Sequence, residues 1–95
     1  MTCIYYKKKL LKLREDHKDW GHSDWLFEVG HEGYALRQIV IYENGPSFLY
    51  NRTHRKDEYC ELTDYYFEFV SETPFEIPKA SFEALWLEIA EKHYS

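Results

Sequence analysis

Tyr34-Ala35-Leu36-Arg37-Gln38-Ile39-Val40-Ile41-Tyr42-Glu43, followed by Asn44-Gly45-Pro46, is the stretch whose reading decides the fold. Ile39, Val40, Ile41 and Tyr42 are strong strand formers. The run is apolar on both faces near Ile39–Ile41, which predicts a central strand. Asn44-Gly45 is a hairpin signal. Pro46 has no N–H to close an ideal two-residue loop, so a slightly longer loop is expected. Ser47 to Thr53 then reads as the partner strand, with Phe48 and Tyr50 on one face.

Toward the N-terminus, Gly30-His31-Glu32-Gly33 supplies turn chemistry. Before it, Trp25, Phe27 and Val29 alternate with Leu26 and Glu28, which is strand periodicity. Glu15 to Asp24 is polar and reads as a loop. Cys3 to Arg14 leaves two assignments open. As a strand it sets Ile4 and Tyr6 on one face and Leu11 and Leu13 on the other, which requires a bulge near Lys9. As a helix over Lys7–His17 it groups Leu10, Leu13 and His17. The β-branched and aromatic start favours the strand.

Toward the C-terminus, Tyr65, Phe67 and Phe69 alternate with Tyr66 and Glu68, the pattern of a last strand. Pro74 and Pro78 bracket a short extended piece holding Phe75 and Ile77. Pro78 suits the first turn of a helix. Phe82, Leu85, Trp86 and Ile89 follow at i, i+3, i+4 and i+7, an amphipathic face. The expected fold class is α+β: an antiparallel β-meander of four to five strands with one C-terminal helix packed on one face, a single domain over residues 1–95. Trp86→Ala is the expected worst single truncation.

Composition bounds the function. Apolar residues make up 44% of the chain and charged residues 31%, which is globular. Aromatics at 19% enlarge the core that 95 residues can build. The net charge of −5 is uneven: +3 over residues 1–20, −1 over 21–55 and −7 over 56–95. An acidic whole repels phosphates, so no nucleic-acid partner is expected. Lysines interrupt any apolar run at the N-terminus, and no stretch is long and apolar enough to span a bilayer, so no membrane partner is expected. Two cysteines, Cys3 and Cys60, read most simply as reduced thiols in a cytoplasm.

Residues 57–76 carry seven acids and six aromatics with no Lys or Arg. Acids alone suggest a solvated tail. Acids threaded among Tyr and Phe suggest a folded surface that presents negative charge around adhesive rings, suited to a basic partner. Asp57, Glu58, Tyr59, Glu61, Asp64, Tyr65 and Tyr66 are the expected partner-binding residues. The plainer alternative is a strand with Phe67 and Phe69 inward and the acids outward.

Glu28, Tyr34, Arg37, Ile39, Ile41-Tyr42, Gly45, Tyr50, Leu62, Phe82-Glu83 and Trp86 together resemble a small bacterial domain family of unassigned activity. Its pattern is an N-terminal strand, an E…R-x-I/V-x-I/V-Y-x-x-G hairpin and a closing F-E-x-x-W helix. That family is similar in size and setting to immunity proteins of bacterial toxin systems, including contact-dependent inhibition. The likeness covers roughly residues 24–90. It implies an antitoxin role: binding a cognate toxin domain, a nuclease with a basic cleft for example, as a monomer or weak homodimer, with no catalytic residues and no cofactor. Arg37 matches the motif. It reads either as an anchor for a partner carboxylate or as half of an internal bidentate pair with Glu28, and the second is favoured.

Two rival functions are a small His/carboxylate enzyme and a self-associating structural module. His17 and His22, with Asp16, Asp19 and Asp24, form the densest ligand cluster, but the spacing matches no zinc signature and reads as solvated loop. His31 and His54 sit in expected turns. Beside Glu58 and Glu61, the Cys60 thiol is expected to be raised in pKa, which disfavours a nucleophile. Lys7-Lys8-Lys9 after Tyr5-Tyr6 reads as protection of an edge strand rather than a nucleic-acid platform.

Overall fold

The structure, a computed structural model, describes residues 2–93. Its strands are β1 (Ile4–Leu10), β2 (Ser23–Val29), β3 (Ala35–Tyr42), β4 (Ser47–Asn51) and β5 (Glu76–Ile77). They form an antiparallel sheet in the order β4-β3-β2-β1-β5. A one-turn helix, α1 (Phe69–Glu72), precedes β5, and a long helix, α2 (Lys79–His93), follows it. The fold is therefore α+β. No helix among the described residues is long and apolar enough to cross a membrane.

The first four strands form the expected meander, and the central pair is β2 with β3. The loop after β3 has four residues, Glu43–Pro46, longer than an ideal two-residue turn as Pro46 requires. Pro46 still contributes its carbonyl, which accepts from the Tyr42 amide at 3.3 Å.

Four expectations are corrected. First, residues 4–10 pair with β2 without a break, so no bulge lies near Lys9 and the helical alternative fails. The phase conflict disappears because the strand ends at Leu10, leaving Leu11 and Leu13 exposed beyond it. Second, the register slips instead between Glu28 and Val29, where Leu36 is the extra residue of β3. Third, Tyr65 to Phe69 is not a strand. Phe67 does point inward, but the chain there is irregular and Phe69 opens α1. The last strand is the two-residue β5, which crosses to the far edge of the sheet and pairs with Tyr5 and Tyr6. Fourth, Pro78 precedes α2 rather than lying in its first turn. Its carbonyl accepts from the Ser81 amide at 3.1 Å.

Both faces of the sheet are covered. On one, Phe82 and Ile89 of α2, with Leu85 and Trp86, pack on Tyr5, Leu26, Ile39 and Leu49. This is the i, i+3, i+4, i+7 face read from the sequence. Phe82 is fully buried and alone stabilises by about 1.5–3 kcal/mol. Trp86 is only half-buried, so the larger loss is now expected from Phe82→Ala. On the other face, Tyr6, Phe27, Val29, Val40, Tyr42, Phe48 and Tyr50 lie under irregular chain that brings down Leu62, Phe67, Tyr59 and Trp20. Cys3 packs on the helix side and Cys60 on the irregular side, and both thiols are free.

Candidate partner-binding surface

The irregular cover consists of residues 11–22 and 52–68, and its outer side carries the acidic aromatic segment. An unpaired backbone laid on a sheet must have its polar groups satisfied by something else. Part of this segment bonds itself, at the bridge Lys56–Glu61 with the Leu62 amide on the Arg55 carbonyl, and Gln38, fully buried in the middle of β3, supplies the tie to the sheet. Its amide nitrogen donates to the Glu61 carbonyl at 3.0 Å, and its amide oxygen accepts from the Thr63 N–H at 2.9 Å. One side chain thus serves as a short surrogate strand. At the hairpin after β2, Gly33 has φ +94, and its carbonyl accepts from the Phe67 amide at 2.8 Å. A Cβ there would meet the Tyr66 ring at 2.5 Å, so glycine is needed both for the turn and for the ring above it.

Two cations from the N-terminal third complete the anchoring. Lys8 Nζ lies 2.6 Å from a carboxylate oxygen of Glu72, which is buried and also accepts from the Tyr65 hydroxyl at 3.0 Å. Arg14 donates to the Tyr59 carbonyl at 2.8 Å, to the Tyr42 hydroxyl at 3.0 Å and to both oxygens of Asp16. The Arg14 guanidinium holds the Asp16 carboxyl down to about 2. So the absence of Lys and Arg within residues 57–76 does not mean an absence of positive charge in space. Lys8 and Arg14 are delivered from elsewhere in the chain.

The seven expected binding residues divide accordingly. Asp57 faces inward in its chemistry: it accepts from the Tyr50 hydroxyl at 3.0 Å and from the amides of Tyr59 and Cys60 at 2.9 and 3.0 Å. The Tyr59 ring is half-buried, stacked on Phe48 with centroids 5.1 Å apart and tilted against Trp20. Glu58, Glu61 and Asp64 are exposed. Tyr65 and Tyr66 are 51% and 52% exposed, and Tyr66 meets Tyr34 edge-on at 5.5 Å. Glu61 and Asp64 also border a surface cleft of about 540 Å³ with Trp25, Leu62, Thr63, Arg55 and Lys56.

Arg37 occupies the other side of the sheet. It makes the bidentate pair with Glu28, both bonds 2.8 Å, and its second nitrogen also reaches Glu83 of α2. Its guanidinium carbon lies 5.0 Å from the Phe82 ring centroid and 4.9 Å from that of Trp86. Tyr5 donates to Glu28 at 2.7 Å. Arg37 holds the Glu28 carboxyl below its usual range. Burial, with the Glu28 bond added, pushes the Tyr5 phenol up to about 12. The motif arginine therefore ties the sheet to the helix.

No group of three or more His, Cys, Asp or Glu among the described residues is placed to hold a metal ion. His17 stacks on Trp20 at 3.9 Å, and His54 on Tyr50 at 5.8 Å. The Cys60 thiol is pushed up, chiefly by burial, with Asp57 and Glu61 adding to it.

Sequence reading missed the parts played by Gln38 and Trp20. Gln38 did carry a signal: it is an amide inside an otherwise apolar central strand, which forces a buried hydrogen-bond partner. Trp20 lay in a polar stretch read as loop, and it packs on Tyr42, Phe48 and Tyr59. Comparison with protein-family models, with curated proteins and with solved structures found no match.

Proposed function

We propose that the chain is an immunity protein, a cytoplasmic inhibitor that binds a cognate bacterial toxin domain and blocks its active site or substrate path. The observation that carries this reading is the pair Tyr65 and Tyr66, half exposed on the same stretch as the exposed carboxylates Glu58, Glu61 and Asp64. Rigid rings with a hydroxyl are effective interface anchors, and exposed like charges around them steer a partner of opposite sign. The partner that fits is a toxin domain with a basic cleft, as a nuclease has for its phosphates. Inhibition is by occlusion and asks no catalysis of this chain. Asp57 and Tyr59 act here as internal supports that hold the segment in shape, leaving the docking contacts to the other five residues.

The test is to look for a reading frame beside this one that ends in a toxin domain, and to coexpress that domain with this chain, read as a one-to-one complex and as cell survival; no such frame, or no complex, would count against the reading. The triple variant Glu58→Lys, Glu61→Lys, Asp64→Lys is expected to associate more slowly and to lose most of the salt dependence of its association rate. Association unchanged in rate and salt response would remove this face as the docking site.

A further inference from the structure

The open end of β1 has the opposite character to the acidic face. β5 pairs only with Tyr5 and Tyr6, so no strand among the described residues pairs with the outer side of β1 from Lys7 to Leu10. The turn at Thr73–Phe75 flanks Lys8, whose Nζ lies 5.0 Å from the Phe75 ring centroid, so the free length begins at Lys9. Beside it, Lys8, Lys9, Leu10, Trp25 and Phe27 line an apolar cleft of about 350 Å³. The Trp25 indole N–H is already bonded to the Ser23 hydroxyl at 2.8 Å, which fixes the ring as a wall. Leu10, Leu11 and Leu13 are 45%, 64% and 39% exposed in sequence with the exposed Lys7, Lys9 and Lys12. Against these three cations stands Asp24, at 3.9 Å from Lys7 and 3.7 Å from Lys9.

We propose that this end of β1 binds an extended acidic segment of a partner protein, which adds alongside Lys9 and Leu10 and seats one large apolar side chain in the cleft. An unpaired strand edge supplies main-chain hydrogen bonds, and a neighbouring cleft supplies selection among side chains. The lysines set the sign of the occupant. A second copy of this chain fits poorly, because it would bring a second Lys7, Lys9 and Lys12 to the same edge, like charge against like. A nucleic acid would satisfy the lysines but would leave the apolar cleft unfilled, and it would meet a chain of net charge −5. This site shares the Trp25 ring with the cleft that Glu61 and Asp64 border, but its strand edge and its lysines are its own, and its test does not require the toxin domain.

The test is an NMR titration of the ¹⁵N-labelled full chain with three probes: the capped peptide Glu-Leu-Glu-Phe-Glu, its counterpart with lysine in place of glutamate, and a single-stranded oligothymidylate. The acidic peptide is expected to shift the amides of Lys9 and Leu10 and the indole signal of Trp25. Lys9→Glu and Leu10→Ser, both at exposed positions, are each expected to weaken it by about tenfold while leaving the signals of α2 in place. Several results would overturn the proposal. They are no shift at millimolar peptide, an equal response to the lysine peptide, shifts confined to residues 57–66, or preference for the oligothymidylate. Concentration-dependent shifts at Leu10 without any probe would also overturn it, in favour of self-association.

Discussion

The two faces of the sheet are closed by different means. On one face, α2 satisfies its own backbone and presents Phe82, Leu85, Trp86 and Ile89 as a ready-made apolar stripe. On the other, irregular chain with a single bridge of its own, Lys56–Glu61, is held largely from outside: by the side chains of Gln38 on Glu61 and Thr63 and of Arg14 on Tyr59, and by the Gly33 carbonyl on the Phe67 amide, while Lys8 ties down the adjoining α1 through Glu72. A helix makes a rigid cover from local sequence. An irregular cover needs contributions from distant positions, and in exchange it can project polar and aromatic groups outward at spacings that a helix does not allow. The residues proposed above to dock the toxin domain all lie on the irregular side.

The comparison breaks most visibly at Phe82. Phe82→Ala should lower stability by about 3–5 kcal/mol in chemical denaturation, and Trp86→Ala by less, because that indole is half-exposed. Equal losses would mean that the helix sits differently on the sheet. Next in size is Lys8→Met, which leaves the buried Glu72 carboxylate without its cation. The expected loss is about 2–3 kcal/mol, at the low end for a broken buried pair because Lys8 keeps some contact with solvent. Gln38→Leu should cost about 1–3 kcal/mol, and it sharpens the contrast. Amide exchange should accelerate at Thr63 while α2 keeps its protection; uniform acceleration would deny that the two covers are separable.

A pH dependence distinguishes the helix side. Arg37 and Tyr5 stabilise the ionised Glu28 and depress its folded pKa, so that contribution is complete above the ordinary glutamate value of 4.5 and is lost as pH falls through the lowered folded value. Wild type should therefore exceed Glu28→Gln in stability at neutral pH, with the gap narrowing as the pH falls below 4.5. A gap that does not narrow on acidification would assign the effect to packing instead. The smallest expected change is that of Glu58→Lys, Glu61→Lys or Asp64→Lys, each within about 0.5 kcal/mol because the side chains are exposed.

Legibility in the sequence followed the same division. β2, β3, β4 and the face of α2 were readable because their periodicities are local, and the Arg37–Glu28 pair was readable from their places on adjacent strands. The alternation of Tyr65, Phe67 and Phe69 misled because a covering segment buries Phe67 without any strand partner. β5 was readable as the short extended piece between Pro74 and Pro78, but its pairing with β1 was not, because two residues carry no period. Of the residues expected to bind a partner, Tyr65 and Tyr66 are outward. Asp57 could not be recognised as an internal cap, since its partners Tyr50, Tyr59 and Cys60 meet it only in the folded chain.

Amide hydrogen exchange of this chain, alone and saturated with a toxin domain that forms the one-to-one complex proposed above, tests most directly whether the irregular cover is the docking face. Slower exchange concentrated in residues 58–66, with α2 unchanged, is the predicted result. Slower exchange along α2, or none in residues 58–66, would contradict it.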